Sequence, residues 1–316
     1  MIVCHYFEHE VLKTTTENDI LDKLNPWDFL WVDLVHASYE ERKRVEEKFD
    51  TELFTRQEAE EIESSSRYFE SETEINANSN FLIRTNHGYH NEPVSFILKS
   101  NLIITQRNVN LKSFDDMHRK VEMSKKGAIS NFIIFITIFE VRIDFDADFL
   151  ENIAREISEI SRQLAVDRDL DEKMLIRINS YQEITMLIRE NIVDKQRIIS
   201  SILKSRVFPK EEFDDVKIMM NDVSSLLEHT SFNFDRLEYL QNTFLGLIDI
   251  EQNKIIKIFT VVTVIFLPPT LIASMYGMNF RFMPELNQVW GYPFAILLML
   301  ISSGLTLMFF KKKNWL

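Results

Sequence analysis

IFTVVTVIFLPPTLIASM at residues 258–275 and YPFAILLMLISSGLTLMFF at residues 292–310 are apolar runs that contain no charged residue. Each run is close to the ~20 residues that an α-helix needs to cross about 30 Å of hydrocarbon. A buried helical hairpin of a soluble protein is the alternative, but two uncharged runs of this length with charged flanks are unusual in soluble folds. The sequence therefore predicts two transmembrane helices, at residues 255–276 and 292–310.

Basic residues flank the outer ends of both runs. Lys254 and Lys257 precede the first run, and Lys311–Lys313 follow the second within a basic tail, residues 311–316. Because Lys and Arg are retained on the cytoplasmic side of a membrane, both termini are predicted to be cytoplasmic. Residues 277–291 then form a short loop on the opposite side.

The charge is distributed unevenly along the chain. Of the net −13, residues from Glu251 onward contribute two acids and six bases, which leaves −17 on the first 250 residues. Such a surface repels nucleic acid and concentrates cations. The single cysteine, Cys4, excludes an internal disulfide and a multi-cysteine zinc site. The amino-terminal residues have no secretory signal pattern.

The first apolar run also carries a polar stripe. At 100° per residue, its Thr and Ser positions fall within one sector of roughly 100°. Such hydroxyls can line a water-filled pore, but they can also bond to their own helix or pack between helices. An asparagine at the head of the stripe favours a pore, because an amide gains little from facing lipid. The predicted pore-lining residues are Asn253, Ile256, Thr260, Thr263, Leu267, Thr270 and Ser274.

One such helix cannot enclose a channel, so a pore requires several copies of the chain around an axis, most simply in a closed ring. Pro268 and Pro269 lie in the outer half of the helix, where they are expected to bend it and to free backbone carbonyl groups.

Residues 1–127 are predicted to form a cytoplasmic α/β domain. The strand candidates are Trp27–Val35, Phe81–Arg84, Val94–Lys99 and Leu102–Thr105, and the helix candidates are Ser38–Phe49 and Thr55–Glu63.

Residues 128–254 are predicted to form a stalk of long helices. No Gly or Pro occurs from Ala128 to Phe208, and Pro209 is suited to the first turn of a new helix. No strong helix breaker follows before Pro268, so the last stalk helix is expected to continue into the first membrane helix.

The loop begins YGMNF at residues 276–280 and continues MPEL at 283–286 and GYP at 291–293. A Gly-Met-Asn tripeptide alone is weak evidence. Here the tripeptide follows directly after a predicted membrane helix that contains FLPPT, and the chain closes with KKKNWL. Together these features resemble the signature of the CorA family of magnesium transporters. The resemblance covers the last 70 residues closely and the remainder in layout, with Trp31-Val32-Asp33-Leu34 similar to a strand of the family.

The resemblance implies an α+β membrane protein that forms a homopentameric funnel in the inner membrane of a bacterium. It implies channel-type Mg²⁺ influx, with Co²⁺ and Ni²⁺ also carried, and closure by intracellular Mg²⁺ bound to cytoplasmic acids. It implies that the protein is not an enzyme and that it has no cofactor besides Mg²⁺, which is both the transported and the regulatory ion. Zinc-transporting relatives tend to have Val in place of Met278, so Met278 favours magnesium. Arg281 stands where many relatives have an acid or Lys, and a ring of Arg there would weaken cation attraction.

The chemistry of the loop agrees with this expectation. Mg²⁺ releases its inner waters reluctantly, so a fast pathway does better to hold the hydrated ion than to strip it. A ring of Asn279 carbonyl groups can hydrogen-bond those waters without a full charge that would trap the ion. Gly277 is expected to supply backbone freedom, and Met278 to pack the loop, because a thioether is too soft for Mg²⁺. The alternative is that Asn279 only caps the helix.

The candidate residues for binding regulatory metal are Asp214, Asp215 and Asp222 at the start of the last stalk helix, although acids on a solvated helix are also ordinary.

Two histidine pairs, His5 with His9 and His87 with His90, have a spacing that suits a transition metal but lack a third ligand. The chain has no Walker-type phosphate loop and no nucleophile elbow. Two alternatives stay open: a zinc or cobalt transporter of the same fold, and a membrane-anchored scaffold whose helices only oligomerise.

Overall fold

The structure is a computed structural model that describes residues 1–9, 11–17, 19–61, 66–85, 88–123, 129–166, 171–279 and 283–313. It divides into two compact units, Met1–Leu240 and Gln241–Leu316. The finer division at residues 127, 254, 276, 291 and 310 stays a prediction.

The first unit contains one seven-stranded sheet in the order β2-β1-β3-β7-β6-β5-β4. Only β3 and β7 run parallel among these neighbouring strands of the described sheet, and the other pairs are antiparallel. The strands are β1 (Ile2–Glu8), β2 (Val11–Thr15), β3 (Phe29–Val35), β4 (Tyr68–Glu70), β5 (Ile75–Thr85), β6 (Gly88–Leu98) and β7 (Ile103–Arg107).

Eight α-helices occur in the described residues, and the last two lie wholly or partly in the second unit. They are α1 (Ile20–Lys23), α2 (Tyr39–Phe49), α3 (Arg56–Glu61), α4 (Lys112–Glu122), α5 (Asn131–Val166), α6 (Glu172–Ile202), α7 (Phe213–Tyr276) and α8 (Gly291–Lys312). The predicted long helices are confirmed as α5 and α6. The predicted continuation of the last stalk helix into the first membrane run is confirmed by α7.

Local sequence signals explain several of these boundaries. Ser38 accepts a hydrogen bond from the Glu41 backbone N–H, and the Glu41 carboxylate accepts one from the Ser38 N–H, a capping box that starts α2. Thr55 and Glu58 make the same reciprocal pair at the start of α3. The predicted helix over Thr55–Glu63 is present as α3, which begins at Arg56, and residues 62–65 lie outside the described residues.

The predicted strands all exist, with different bounds. The strand expected over Trp27–Val35 begins only at Phe29, because Pro26–Asp28 forms a 3-10 turn with an Asn25–Asp28 capping box. The hairpin strands β5 and β6 extend well beyond the segments predicted for them. Strand β1 and the two edge strands, β2 and β4, were not predicted from the sequence.

An aromatic cluster attaches the helices to the sheet. Phe96 of β6 lies 5.3 Å from Phe135 and 5.3 Å from Phe139 of α5, measured between ring centroids. Phe114 of α4 lies 6.2 Å from Phe96, and all four side chains are buried. Offset and edge-on ring contacts of this kind add to the stabilisation that apolar burial supplies.

A buried hydrogen-bonded chain runs through β3, β7 and α4. The carboxylate of Asp33 is fully buried and accepts from Thr105 Oγ1 at 2.6 Å, Arg107 Nη2 at 2.8 Å and His118 Nε2 at 3.0 Å. Burial alone would raise the pKa of Asp33, but His118 and Arg107 together hold it below its usual value. Asp33 is therefore an ionised carboxylate inside the domain.

The chain continues from His118 to β1 and β2. His118 Nδ1 is 2.7 Å from His5 Nε2, and the Thr14 hydroxyl is 2.8 Å from His5 Nδ1. Burial, with repulsion from His118, lowers the pKa of His5 to about 3, so its ring is neutral near pH 7. Both nitrogens of His5 are used here, which leaves neither for a metal shared with His9.

A second buried polar cluster joins α5 to α6. Asp146 lies between Arg142 Nη2 at 2.7 Å and Lys195 Nζ at 3.0 Å, and all three side chains are at most 5% exposed. Arg67 pairs with Asp194 at 2.7 Å. Burial lowers the pKa of Lys195, although Asp146 opposes that shift.

Candidate ion pathway

The outer part of α7 presents two different faces within the second unit. All seven residues of the predicted stripe, from Asn253 to Ser274, are exposed. Val261 is buried, and Ile265, Pro268 and Ile272 are half-buried, on another side of the helix. The stripe therefore takes no part in packing within the chain, and its partner has to be lipid, water or another subunit.

The threonine hydroxyls of the stripe have a common orientation. Thr260, Thr263 and Thr270 each donate to the backbone carbonyl four residues earlier, at 2.7, 2.8 and 2.7 Å. A hydroxyl carries one proton and two lone pairs, so each oxygen remains an acceptor on the exposed face. From the sequence alone, hydroxyls that bond to their own helix were an alternative to hydroxyls that line a pore. The two are compatible, because a hydroxyl that donates to its own helix can still accept a hydrogen bond from water.

The two prolines lie inside α7, which continues through them. Pro269 has no N–H, so the carbonyl of Ile265 lacks its normal helical donor. The hydroxyl of Ser303 on α8 donates to that carbonyl across the helix pair at 3.4 Å. By contrast, Ser302 and Thr306 bond carbonyls of α8 itself. Ser303 is a structural partner that was not predicted from the sequence. The available signal was that the second apolar run contains the pair Ser302-Ser303 and the first contains the pair Pro268-Pro269.

The Gly-Met-Asn segment follows the last turn of α7 directly. Gly277 continues the helical pattern by donating to the Ala273 carbonyl at 2.9 Å, and Met278 donates to Met275 at 3.3 Å. The φ angle of Gly277 lies outside the left-handed region, so the expected need for backbone freedom is wrong. A Cβ at this position would approach the Ala273 oxygen to 3.2 Å, a contact tighter than most side chains make.

Met278 and Asn279 are exposed, Met278 at 49%. Within the residues that the structure describes, the Asn279 side chain makes no hydrogen bond to the end of α7. Arg281 lies outside the described residues, as does His87 of the second histidine pair.

Two of the three predicted regulatory acids lie near carboxylates of α5 in the first unit. Burial raises the pKa of Glu140, and the charge of Asp215 raises it further. Burial and the charge of Asp222 similarly raise the pKa of Asp144. Like charges disfavour one another's ionised form, so this acidic surface attracts a cation that would relieve the repulsion.

Asp214, the third predicted acid, instead pairs with Lys217 at 2.8 Å and is exposed. Within the described residues no group of three His, Cys, Asp or Glu side chains is close enough to hold a metal ion. Glu140 and Asp144 were not predicted from the sequence. Their four-residue spacing on α5 places them on one helix face, but nothing in the sequence showed that α7 lies opposite.

The second unit has the character of a membrane protein. Both α7 and α8 contain an 18-residue window apolar enough to span a membrane, and only 6% and 11% of those windows are buried. A core helix of a soluble protein would be mostly covered.

The model of the family described as CorA-like Mg2+ transporter protein matches residues 27–312. The chain belongs to the CorA family. Among curated relatives of this CorA chain, the magnesium transport protein CorA of Wolinella succinogenes is 40% identical over 292 residues, which cover 91% of each chain. The protein of the same name from Campylobacter jejuni strain RM1221 is 36% identical over 320 residues, covering 95% of this chain and 98% of that one.

The complete CorA magnesium transporter of Methanocaldococcus jannaschii has the same fold. It superimposes with a TM-score of 0.82 at 17% identity, covering 100% of this chain and 99% of that one. The predicted fold class is thereby confirmed for the soluble α/β domain, the long helix and the two candidate membrane helices. The CorA family is one of transporters, and the chain is a membrane protein of that family.

Proposed function

We propose that the chain is a channel-type divalent-cation transporter through which hydrated Mg²⁺, and also Co²⁺ and Ni²⁺, flows into the cell. In this proposal five copies form a ring in the bacterial inner membrane, among lipids, with both termini cytoplasmic. The α7 stripes line the axis, and Gly277, Met278 and Asn279 form the selecting loop at its outer end. No cofactor is proposed besides the ion itself.

The observation that carries the proposal is the exposed, uncharged row of oxygen acceptors on α7. The waters around Mg²⁺ are polarised by the ion and act as hydrogen-bond donors. Hydroxyls that have already donated to their own helix can only accept, so they suit these waters. The absence of charge along the stripe lets the ion leave each position.

Asn279 is proposed as the selectivity residue. Replacing it by Ala removes a ring of carbonyl acceptors at the outer end, and each lost hydrogen bond of ~1.4 kcal/mol corresponds to about tenfold. We expect Asn279→Ala to lower Mg²⁺ uptake into proteoliposomes at least ~10-fold. The matched control is Asn287→Ala, an exposed asparagine of the same loop, which should stay within about twofold. Near-normal uptake by Asn279→Ala with unchanged selectivity would refute this role.

One flux assay separates the candidate functions. Uptake of Mg²⁺, Co²⁺, Ni²⁺ and Zn²⁺ is compared at a defined membrane potential. Preference for Zn²⁺ would support a zinc transporter of the same fold, and no flux of any ion would support a scaffold.

We also propose that intracellular Mg²⁺ closes the channel by binding the acidic surface of Asp215 and Asp222 with Glu140 and Asp144, with Asp214 as a further contributor. Since Mg²⁺ usually keeps several waters, these acids can hold it without forming a close ligand set. Millimolar Mg²⁺ should then increase protease resistance of the purified chain.

Two variants test which acids matter. Asp215→Asn combined with Asp222→Asn should abolish the Mg²⁺-dependent protection. Asp214→Asn, which removes half as much charge as the double variant and does so at a carboxylate paired with Lys217, should reduce the protection by less than half as much. Equal protection in the double variant and in the unaltered chain would contradict metal-linked closure at this surface.

A further inference from the structure

A cavity of about 460 Å³ lies in the first unit between the β5–β6 hairpin and the α5–α6 helix pair. None of its lining residues belongs to the acidic surface or to the α7 stripe. Its size falls within the ~300–1,000 Å³ range of small-molecule sites. Three aromatic side chains and two arginines line it, namely Tyr89, Phe149, Tyr181, Arg84 and Arg155.

The aromatic side chains come from three different elements. Tyr89 of β6 and Phe149 of α5 meet edge to face with centroids 5.5 Å apart, and Tyr181 of α6 lines the same cavity. All three rings are half-buried, so each is held in place while part of its surface stays accessible. Rings fixed in this way can stack on a planar aromatic ligand.

The two arginines bring positive charge to the cavity in a chain whose net charge is −13. Both are exposed, and neither has a carboxylate partner among the described residues. The Arg84 guanidinium lies 5.9 Å from the Tyr89 ring centroid, and Arg155 donates to Asn152 Oδ1 at 2.6 Å. Each guanidinium therefore keeps donors that are not committed to a carboxylate, and it is geometrically suited to a phosphate.

The one carboxylate that lines the cavity is already neutralised. Glu156 accepts from Arg177 Nη2 at 3.2 Å and from the Tyr181 hydroxyl at 2.9 Å. It therefore balances Arg177 and does not cancel the positive charge that Arg84 and Arg155 bring to the cavity.

We propose that this cavity binds a nucleoside phosphate, with the base against Tyr89, Phe149 and Tyr181 and the phosphate on Arg84 and Arg155. The ligand is a class in which one molecule carries both an aromatic ring and a multiply charged anion. Either part alone would use only half of the side chains. Nucleoside triphosphates also chelate Mg²⁺ through their phosphates. Occupancy of this site would therefore depend on the concentration of the nucleotides that bind Mg²⁺ in the cell.

The test is equilibrium binding of labelled ATP to the purified full-length chain in detergent, with EDTA present. Chelation removes Mg²⁺, so effects of the acidic surface on the measurement are avoided. We expect saturable binding of one ATP per chain, weakened ~10-fold or more in Arg84→Gln and in Arg155→Gln, which corresponds to about 1.4 kcal/mol per lost charged contact. Arg197→Gln, an exposed arginine of α6 that does not line this cavity, should bind ATP as the unaltered chain does.

Competition on the unaltered chain keeps the test independent of variant folding. Unlabelled adenosine and tripolyphosphate should each displace ATP, and each should do so more weakly than unlabelled ATP. Tyr89→Leu should weaken ATP and adenosine but not tripolyphosphate. Absence of saturable ATP binding, equal binding by the arginine variants, or tripolyphosphate binding as tight as ATP with no effect of adenosine would each overturn the proposal.

Discussion

Removing the charge of Asp33 is the sharpest test of how the cytoplasmic domain is held together. In Asp33→Asn the side chain keeps its shape, but its amide N–H₂ must face donors from Thr105, Arg107 and His118. The Arg107 guanidinium, whose side chain is 3% exposed, is left without its counter-ion. Breaking a buried pair by removing one partner costs about 3–5 kcal/mol, and we expect a loss of unfolding free energy of that size.

The assay is urea unfolding of the purified full-length chain, followed by tryptophan fluorescence. Trp31 is fully buried, and its ring stacks on His118 with centroids 4.0 Å apart, so it reports on this region directly. Asp116→Asn is the matched control, because Asp116 is a partly exposed carboxylate on the same helix as His118 and pairs with Arg119. Its effect should stay below about 1 kcal/mol.

The pH dependence of the same variant gives a second measurement. The folded-state pKa of Asp33 is lowered, so its contribution to stability is present above the pKa of the unfolded carboxyl, ~3.9. That contribution is lost as the pH falls through the lower folded-state pKa. The unaltered chain should therefore lose more stability than Asp33→Asn on acidification below about pH 4. A loss below about 1 kcal/mol at pH 7, or identical acid profiles, would refute the role assigned to Asp33.

Two further predictions concern the stalk and the membrane helices. Asp146→Ala should lower the free energy of unfolding by about 3–5 kcal/mol, because Arg142 and Lys195 lose their shared partner. Lys195→Met should change it by less than about 1 kcal/mol, because the Arg142–Asp146 pair remains. Urea unfolding of both variants measures this contrast, and equal losses would contradict it. Ser303→Ala should lower the free energy of unfolding of the full chain in detergent by roughly 0.6–2 kcal/mol, measured by thermal unfolding, because the Ile265 carbonyl loses its donor. Ser302→Ala is the control, because it breaks only a bond within α8. An equal effect of both variants would count against the bond between the helices.

Periodicity predicted the helical parts of the molecule because helices are local. The stripe from Asn253 to Ser274 follows from 100° per residue, and the structure leaves every member exposed. The continuity of α7 followed from the lack of breakers between Pro209 and Pro268. Neither inference required knowledge of which elements touch.

The features that the sequence did not predict depend on contacts between distant segments. Asp33 reads as one polar residue in a buried strand, and its partners Arg107 and His118 lie 74 and 85 positions away. Glu140 and Asp144 become significant only because Asp215 and Asp222 of α7 are near them. The packing of the helices determines which of these residues lie close together, and that packing cannot be predicted from a single sequence.

The local bonds of α7 explain how its uncharged stripe can serve a doubly charged ion in the proposed pathway. A threonine whose proton faced the axis would oppose the outward-pointing protons of the waters around Mg²⁺. Donation from Thr260, Thr263 and Thr270 to carbonyls of their own helix removes that conflict and turns each oxygen toward the exposed side as an acceptor. Pro269 adds no unsatisfied carbonyl to the exposed face, because the Ile265 carbonyl that it leaves without a helical donor accepts from Ser303 of α8. The exposed face is thus left with neutral acceptors, which hold a hydrated cation weakly enough for it to move on.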